Sequence, residues 1–277
     1  MPPDSKNRNF DYRSLAMRKI LLAEDVKINQ YICRQMLESW GCRVDVANNG
    51  LEVLELLSLN NYDCILMDIQ MPEMDGMEAA RQIRQLSDTT KASIPIIAVT
   101  ANALRGDPEK YRQAGMTDFL PKPYEEEFLF KVISKNLPGH PFQGGLSALS
   151  PDNSSDHAVA TEAATQKLYD LSMIHSLSGG DESFIRKMVD LFIETVPPNV
   201  EALHTGLAGE QWEQVSKMAH KLKSTVDSMG IQSLKAEIRE VESSAKAKES
   251  LDRLPDLIAR ISQVIEQVIY QLRVEFP

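Results

Sequence analysis

Five polar side chains fall where four apolar stretches of the chain end: Glu24, Asp25, Asp68, Thr100 and Lys122. If those stretches are parallel strands of one sheet, their carboxyl ends form a common crevice. Three carboxylates held together there repel one another, and either a raised pKa or a hard divalent cation relieves that repulsion. Oxygen ligands suit magnesium, and a cation, an ammonium and a hydroxyl around one carboxylate can spread the charge of a phosphoryl group. The pattern therefore indicates phosphoryl chemistry at Asp68.

The elements that must hold these side chains alternate regularly from Lys19 onward. Predicted strands span 20–23, 43–46, 64–67, 94–99 and 117–120, and predicted helices lie near 27–39, 50–59, 77–86, 105–113 and 125–136. Strands alternating with helices of this length predict a doubly wound α/β domain with a five-stranded parallel sheet over residues 18–137. Residues 1–17 are polar and non-periodic, which predicts a flexible arm.

The second half of the chain has a different pattern. Residues 138–167 are rich in Ser, Pro, Asp and Ala, which predicts a flexible linker. Over residues 168–277 apolar side chains recur at helical spacing on four amphipathic stretches with short connections, so an all-α, antiparallel four-helix bundle is expected. Pro197 and Pro198 interrupt the first stripe and predict a kink or a break.

Motifs in the first domain carry a family resemblance. They are Glu24-Asp25, Asp68 with Met-Pro-Glu-Met-Asp-Gly behind it, Thr100-Ala101 and Lys122-Pro123. In order and spacing they resemble the flavodoxin-like receiver domain of bacterial response regulators, over about residues 18–137.

The resemblance implies a role for each matching residue. Asp68 would be the phosphoacceptor, and Mg²⁺ would be held by Glu24, Asp25, Asp68 and the backbone carbonyl of Gln70. Lys122 would pair with the phosphoryl group, Thr100 and Phe119 would change position with it, and Gln70 and Asn102 would tune its loss. The Lys122-Pro123 bond is expected to be cis.

One histidine of the second domain lies in a distinctive setting. His220 is beside the apolar stripe of the second helix, and Lys217, Lys223 and Ser224 share its face. An imidazole there could accept a phosphoryl group, with Lys223 near the added charge. His-Lys-Leu-Lys-Ser-Thr from His220, followed by Gly230, resembles the histidine phosphotransfer (HPt) domain, over about residues 168–276.

That second resemblance implies that His220 is the transfer histidine and that Lys223 assists it. Ser224 stands where the family most often has glycine and is small enough to let a partner domain approach. Asp227 shares the face of His220 and could weaken docking of an acidic receiver pocket, which leaves open a bundle that acts only as a docking module.

A competing interpretation is that residues 217–239 form a helix-turn-helix that binds DNA, and the charge of the chain tests it. The net charge is −10; it divides into 17 basic against 20 acidic side chains up to residue 138, and 13 against 20 beyond. An acidic bundle is a poor match for DNA phosphates, so no nucleic-acid partner is expected.

The combined expectation is a two-component phosphorelay protein whose partners are a sensor histidine kinase, another receiver, or both. The sequence has no ATP-binding kinase signature, so the phosphoryl group is expected from outside. No apolar run approaches the ~20 residues of a membrane helix, and the prediction is a cytoplasmic protein with buried, reduced cysteines. Met1 and the polar arm favour a free-standing protein over the tail of a hybrid kinase.

Overall fold

A five-stranded parallel sheet organises the first half of the chain in the computed structural model, which describes residues 10–100, 108–122, 125–137 and 167–277. Its strands are β1 (Lys19–Ala23), β2 (Arg43–Ala47), β3 (Cys64–Asp68), β4 (Ile96–Thr100) and β5 (Asp118–Pro121). The order is β2-β1-β3-β4-β5, and every neighbouring pair is parallel. The predicted doubly wound sheet is therefore confirmed, and the carboxyl ends of β1 and β3 lie side by side.

Helices cover both faces of this sheet. They are α1 (Lys27–Ser39), α2 (Gly50–Leu59), α3 (Gly76–Arg84), α4 (Thr89–Ala92), α5 (Pro108–Gln113) and α6 (Glu126–Asn136). Alternate strand residues belong to two cores, as the two-residue period of a strand requires. Ile20 and Leu22 belong to the core that includes α1 and α6, whereas Leu21 and Ala23 belong to the one that includes α2 and α3.

The turn after β3 positions Asp68. Every residue of β3 is buried, because both faces of the strand are covered. A Cβ at Gly76 would lie 2.0 Å from the carbonyl oxygen of Asp68, so only glycine lets the chain pass this close to the strand end. The Asp75 side chain then accepts a hydrogen bond from the backbone N–H of Glu78 and begins α3.

Several local features differ from the sequence expectations. β4 begins two residues later than predicted, and the short helix α4 was not predicted; its N-cap is Asp88, whose carboxylate accepts from the N–H groups of Thr90 and Lys91. Part of the predicted arm is ordered, because Tyr12–Leu15 forms a 3₁₀ turn. Leu15 is completely buried there, and Tyr12 stacks on Trp40 with ring centroids 5.3 Å apart.

The second half consists of α7 (Ser172–Ser178), α8 (Glu182–Ala208), α9 (Trp212–Ser228), α10 (Lys235–Ala247) and α11 (Leu254–Glu275). The four longer helices pack as a bundle, in which α8 contacts α9 and α11, and α10 contacts α9 and α11. Of the kink or break predicted at Pro197 and Pro198, the break is wrong, since α8 runs through both prolines. Val196 before them and Leu203 after them are both completely buried, and this shared packing outweighs the lost backbone hydrogen bonds.

Three further groups of sequence predictions concern residues outside the described ranges, the cysteines and membrane-spanning helices. Residues 138–166 of the predicted linker, Asn102 and Pro123 lie outside the described residues. All three cysteines are free and buried, as predicted. In the described part of the chain no helix is both long and apolar enough to cross a membrane.

Candidate functional site

Three carboxylates meet at the carboxyl end of the sheet. Glu24 and Asp25 follow β1, and Asp68 ends the neighbouring β3, whose Met67 pairs with Ala23. One carboxylate oxygen from each of the three lies within 4.8 Å of the others. Glu24 and Asp68 are each only 3% exposed. The parallel register thus brings together the acidic residues that the sequence predicted to share a crevice.

Lys122 lies between two of these carboxylates. It follows β5, where its backbone N–H donates to the carbonyl of Thr100 at 2.7 Å. Its Nζ donates to Oε2 of Glu24 at 2.5 Å and to Oδ2 of Asp68 at 2.7 Å. Burial alone would lower the pKa of Lys122, but the charges of Asp68 and Glu24 outweigh it and raise the pKa. The ammonium therefore stays charged and fixed beside Asp68.

Glu24 is held by more than Lys122. Its Oε1 accepts from the backbone N–H of Val26 and from the side-chain amide of Asn29, both at 3.1 Å. Burial raises the pKa of Glu24 to about 7, with Lys122 opposing and Asp68 reinforcing that rise. Asn29 was not predicted from the sequence, although it is a polar residue four positions after Asp25, in the first turn of the helix that leaves the crevice.

Asp25 has an oxygen whose hydrogen-bonding capacity is unused. Its Oδ1 is buried without a hydrogen-bond partner among the described residues, and its Oδ2 pairs with a lysine of the bundle. An orphaned carboxylate oxygen beside two other carboxylates is the donor set of a hard, oxygen-ligated cation. The residues present therefore fit Mg²⁺.

The predicted switch residues lie close together. The Thr100 hydroxyl is 3.3 Å from the hydroxyl of Tyr111, and Tyr111 packs against Phe119 with ring centroids 6.4 Å apart. Thr100 is buried and Phe119 half-buried. Tyr111 was not singled out from the sequence. Nothing in its spacing points to Thr100, because the contact depends on how α5 packs against the β5 edge of the sheet.

His220 has a specific partner on the neighbouring helix. Its Nδ1 is 2.7 Å from Oε1 of Glu242, and Lys223 donates to Oε2 of the same carboxylate at 2.5 Å. Burial alone would raise the pKa of Glu242, but the hydrogen bonds from His220 and Lys223 outweigh it and lower the pKa to about 2. Because an ionised carboxylate only accepts, Nδ1 must carry the proton, which leaves Nε2 of a neutral ring with a free electron pair.

Glu242 was missed as a site residue. The signal for it was present, since His220 and Glu242 are each eleven positions from Ile231 in the α9–α10 hairpin. Two antiparallel helices that turn near Ile231 bring such positions to the same level.

Asp227 is neutralised within the bundle. It pairs with Arg239 at 2.7 Å and with Lys235 at 3.8 Å, the second contact being too long for a hydrogen bond. Lys235 and Arg239 are basic residues of the second helix in the candidate helix-turn-helix over residues 217–239. Both are paired with an acidic residue of their own domain, which argues against that interpretation.

The two domains face each other across a cleft of about 1030 Å³. Asp25 and Gln70 line it from the sheet domain, and His220 and Glu242 line it from the bundle. The domains also meet where Tyr31 of α1 stacks on Phe184 of α8 with ring centroids 5.2 Å apart. Ser224 lies with Asn29 and Lys122 around a second, smaller cavity between the domains. The predicted transfer histidine and the mouth of the carboxylate crevice thus share one space.

Comparison with known protein families gives two matches. Residues 20–134 match the response regulator receiver domain family, and residues 187–272 match the Hpt domain family.

Curated relatives span both regions. Signal transduction histidine-protein kinase BarA of Escherichia coli K12 is 28% identical over 266 residues, which is 92% of this chain and 28% of BarA. Aerobic respiration control sensor protein ArcB of Escherichia coli K12 is 28% identical over 234 residues, covering 84% of this chain and 28% of ArcB. The chain thus spans little more than a quarter of the length of these relatives.

Solved structures resemble one domain each. The receiver domain of sensor histidine kinase PA1611 from Pseudomonas aeruginosa PAO1, with magnesium in its active site cleft, is 40% identical over 44% of this chain and 98% of that one, with a TM-score of 0.41. A chain of the Saccharomyces cerevisiae Ypd1–Ssk1 receiver co-crystal is 30% identical over 44% of this chain and 89% of that one, also with a TM-score of 0.41.

Proposed function

We propose that this chain, which carries a response regulator receiver domain followed by an Hpt domain, relays a phosphoryl group between Asp68 and His220. The combination of the two domains makes it a two-component phosphorelay protein. The observation that carries the proposal is the shared cleft, which His220 lines from one side and Asp25 and Gln70 from the other.

In the receiver, a carboxylate oxygen of Asp68 attacks the phosphorus of a phosphodonor. The new O–P bond forms as the donor's bond to phosphorus breaks, and the leaving atom keeps the electron pair. Lys122 is already hydrogen-bonded to Oδ2 of Asp68, so its ammonium is in place to pair with the incoming phosphoryl oxygens. Glu24, Asp25, Asp68 and the backbone carbonyl of Gln70 would hold Mg²⁺, and the bound ion would neutralise charge on the phosphoryl group.

In the Hpt domain, His220 supplies the second acceptor. Nε2 attacks the phosphorus of phosphorylated Asp68, an N–P bond forms, and the carboxylate of Asp68 leaves with the electron pair of the broken O–P bond. Glu242 keeps the proton on Nδ1 and stabilises the positive charge that develops on the ring. Lys223 keeps Glu242 in place through the other carboxylate oxygen.

Other residues adjust this exchange. Thr100 leaves Tyr111 and turns toward the phosphoryl group, and Phe119 follows into the space released. Gln70 and Asn102 control how fast the phosphoryl group is lost to water, and Ser224 lets a receiver approach His220. Outside the chain, the donor or acceptor is a sensor histidine kinase or another receiver domain.

The test is labelling of the full chain from acetyl phosphate and Mg²⁺, read by intact mass and by the different acid and base stabilities of acyl phosphate and phosphohistidine. Asp68→Asn should abolish all labelling, and His220→Gln should keep acyl phosphate but lose phosphohistidine. His204→Gln, in α8 of the same domain, is the matched control and should behave as wild type. Equal labelling of Asp68→Asn, or phosphohistidine in His220→Gln, contradicts the proposal.

A further inference from the structure

A lysine of the Hpt domain enters the carboxylate crevice of the receiver. Lys221 directly follows His220 on α9, and its Nζ lies 2.8 Å from Oδ2 of Asp25. The Asp25 side chain is only 5% exposed and that of Lys221 25% exposed, so the pair is largely withdrawn from water. A pair of this kind is less screened than an ion pair on the open surface.

This contact changes the charge of the crevice. Glu24, Asp25 and Asp68 bring three carboxylates, and Lys122 of the receiver brings one ammonium to Glu24 and Asp68. Lys221 is the second ammonium, and it comes from the other domain. Docking of the bundle therefore makes the crevice less negative by one charge, at the carboxylate that keeps an orphaned oxygen.

We propose that Lys221 is a placeholder cation, which pairs with Asp25 when the domains dock. Domain docking and Mg²⁺ binding therefore weaken each other. The proposal rests on the magnesium site of the proposed function. Mg²⁺ must either displace Lys221 from Asp25 or bind beside it against cation–cation repulsion, and both reduce its affinity. Because coupling between two binding events is reciprocal, Mg²⁺ weakens docking by the same factor by which docking weakens Mg²⁺ binding.

An apolar part of the interface does not depend on the metal. The stacked pair of Tyr31 and Phe184 carries no charge and lies on α1 and α8. Mg²⁺ would release the Lys221 contact without removing this apolar one. The domains thus stay close enough for transfer, while the metal-loaded receiver becomes easier to open for an outside partner.

The test is a calorimetric titration of Mg²⁺ into the unphosphorylated full chain, without any phosphodonor. Lys221→Met keeps the aliphatic stem and removes the charge, and it should tighten Mg²⁺ binding about fivefold, the factor expected for a partly buried ion pair. Lys217→Met is the matched control, because Lys217 lies on α9, lines the same cleft and pairs with Glu213 instead. It should leave the affinity within about twofold of wild type, since a surface pair contributes little.

A second variant tests the docking itself. Tyr31→Ala weakens the interface without touching a charge, so it should also tighten Mg²⁺ binding, and it should add nothing to Lys221→Met when both are combined. Far-UV circular dichroism checks that each variant is folded.

The proposed role of Lys221 is overturned if Lys221→Met binds Mg²⁺ with wild-type affinity. It is also overturned if Lys217→Met tightens Mg²⁺ binding equally. Fully additive effects of Tyr31→Ala and Lys221→Met overturn it as well. A wild-type chain that binds no Mg²⁺ would instead refute the magnesium site of the proposed function, so the two failures are distinguishable.

Discussion

Glu242→Gln is the substitution that most directly probes the histidine site. The glutamate offers one oxygen to Nδ1 of His220 and the other to Nζ of Lys223. Glutamine replaces one of these two oxygens with an NH₂ group, which donates and does not accept, so in this geometry one of the two donors faces another donor. The variant should therefore lose both stability of the Hpt domain and control over the proton on His220.

The size of the stability loss follows from the pKa of Glu242. Its fall from 4.5 to about 2 corresponds to about 3 kcal/mol in favour of the charged form in the folded state. The side chain keeps 17% exposure, and solvent screening reduces the expected loss at pH 7 to about 2 kcal/mol. Since the folded pKa is lowered, this contribution is complete above pH 4.5 and declines as the pH falls toward 2.

The measurement is urea unfolding of the full chain, followed by the fluorescence of Trp212 in a Trp40→Phe background so that the bundle is observed alone. Between pH 7 and pH 3.5 the difference between wild type and Glu242→Gln should shrink by about 1 kcal/mol, because unfolded wild type takes up a proton that the folded form does not. Phosphoryl transfer to His220 should slow by on the order of tenfold or more, as for other histidines that lose an orienting carboxylate.

Glu240→Gln is the control on the same helix. Among the described residues the ion-pair partner of Glu240 is Arg253, whose side chain is 61% exposed, so loss of the Glu240 charge should cost less than ~1 kcal/mol. A stability difference for Glu242→Gln that does not change with pH would refute the assigned role of its charge. Transfer at the wild-type rate would refute its role at His220.

Two further substitutions test the receiver and the bundle. Lys122→Met should prevent labelling of Asp68. It should also lower the free energy of unfolding of the receiver by about 3 kcal/mol or more, because the buried carboxylates of Glu24 and Asp68 lose their cation. Added Mg²⁺ should recover part of that loss in a melting experiment. Asp227→Asn should change the rate of transfer to His220 by less than about twofold in a time course, because Asp227 is already neutralised by Arg239.

Local patterns were sufficient to predict the sheet and the crevice. Apolar runs ended at Glu24, Asp68 and Lys122, and parallel register alone brings strand ends together. The continuity of α8 could not be predicted from local sequence patterns in the same way. Pro197 and Pro198 oppose a helix locally, and only the buried residues on either side explain why it continues.

The contacts that were missed are all tertiary. Glu242 meets His220 through the packing of α10 against α9, and Lys221 meets Asp25 through the packing of two domains. A sequence pattern shows which face of a helix is apolar, but it does not show which polar residue of another element lies opposite. Leu15 likewise reads as part of a polar arm until the sheet domain that buries it is present.

The central conclusion from the shared cleft is that Asp68 and His220 exchange a phosphoryl group within one chain. The most direct measurement is the rate at which phosphohistidine appears after a pulse of acetyl phosphate and Mg²⁺, over a hundredfold range of protein concentration. Exchange within the chain predicts that acyl phosphate precedes phosphohistidine and that the rate constant is independent of concentration. A rate proportional to protein concentration, or phosphohistidine in Asp68→Asn, would contradict it.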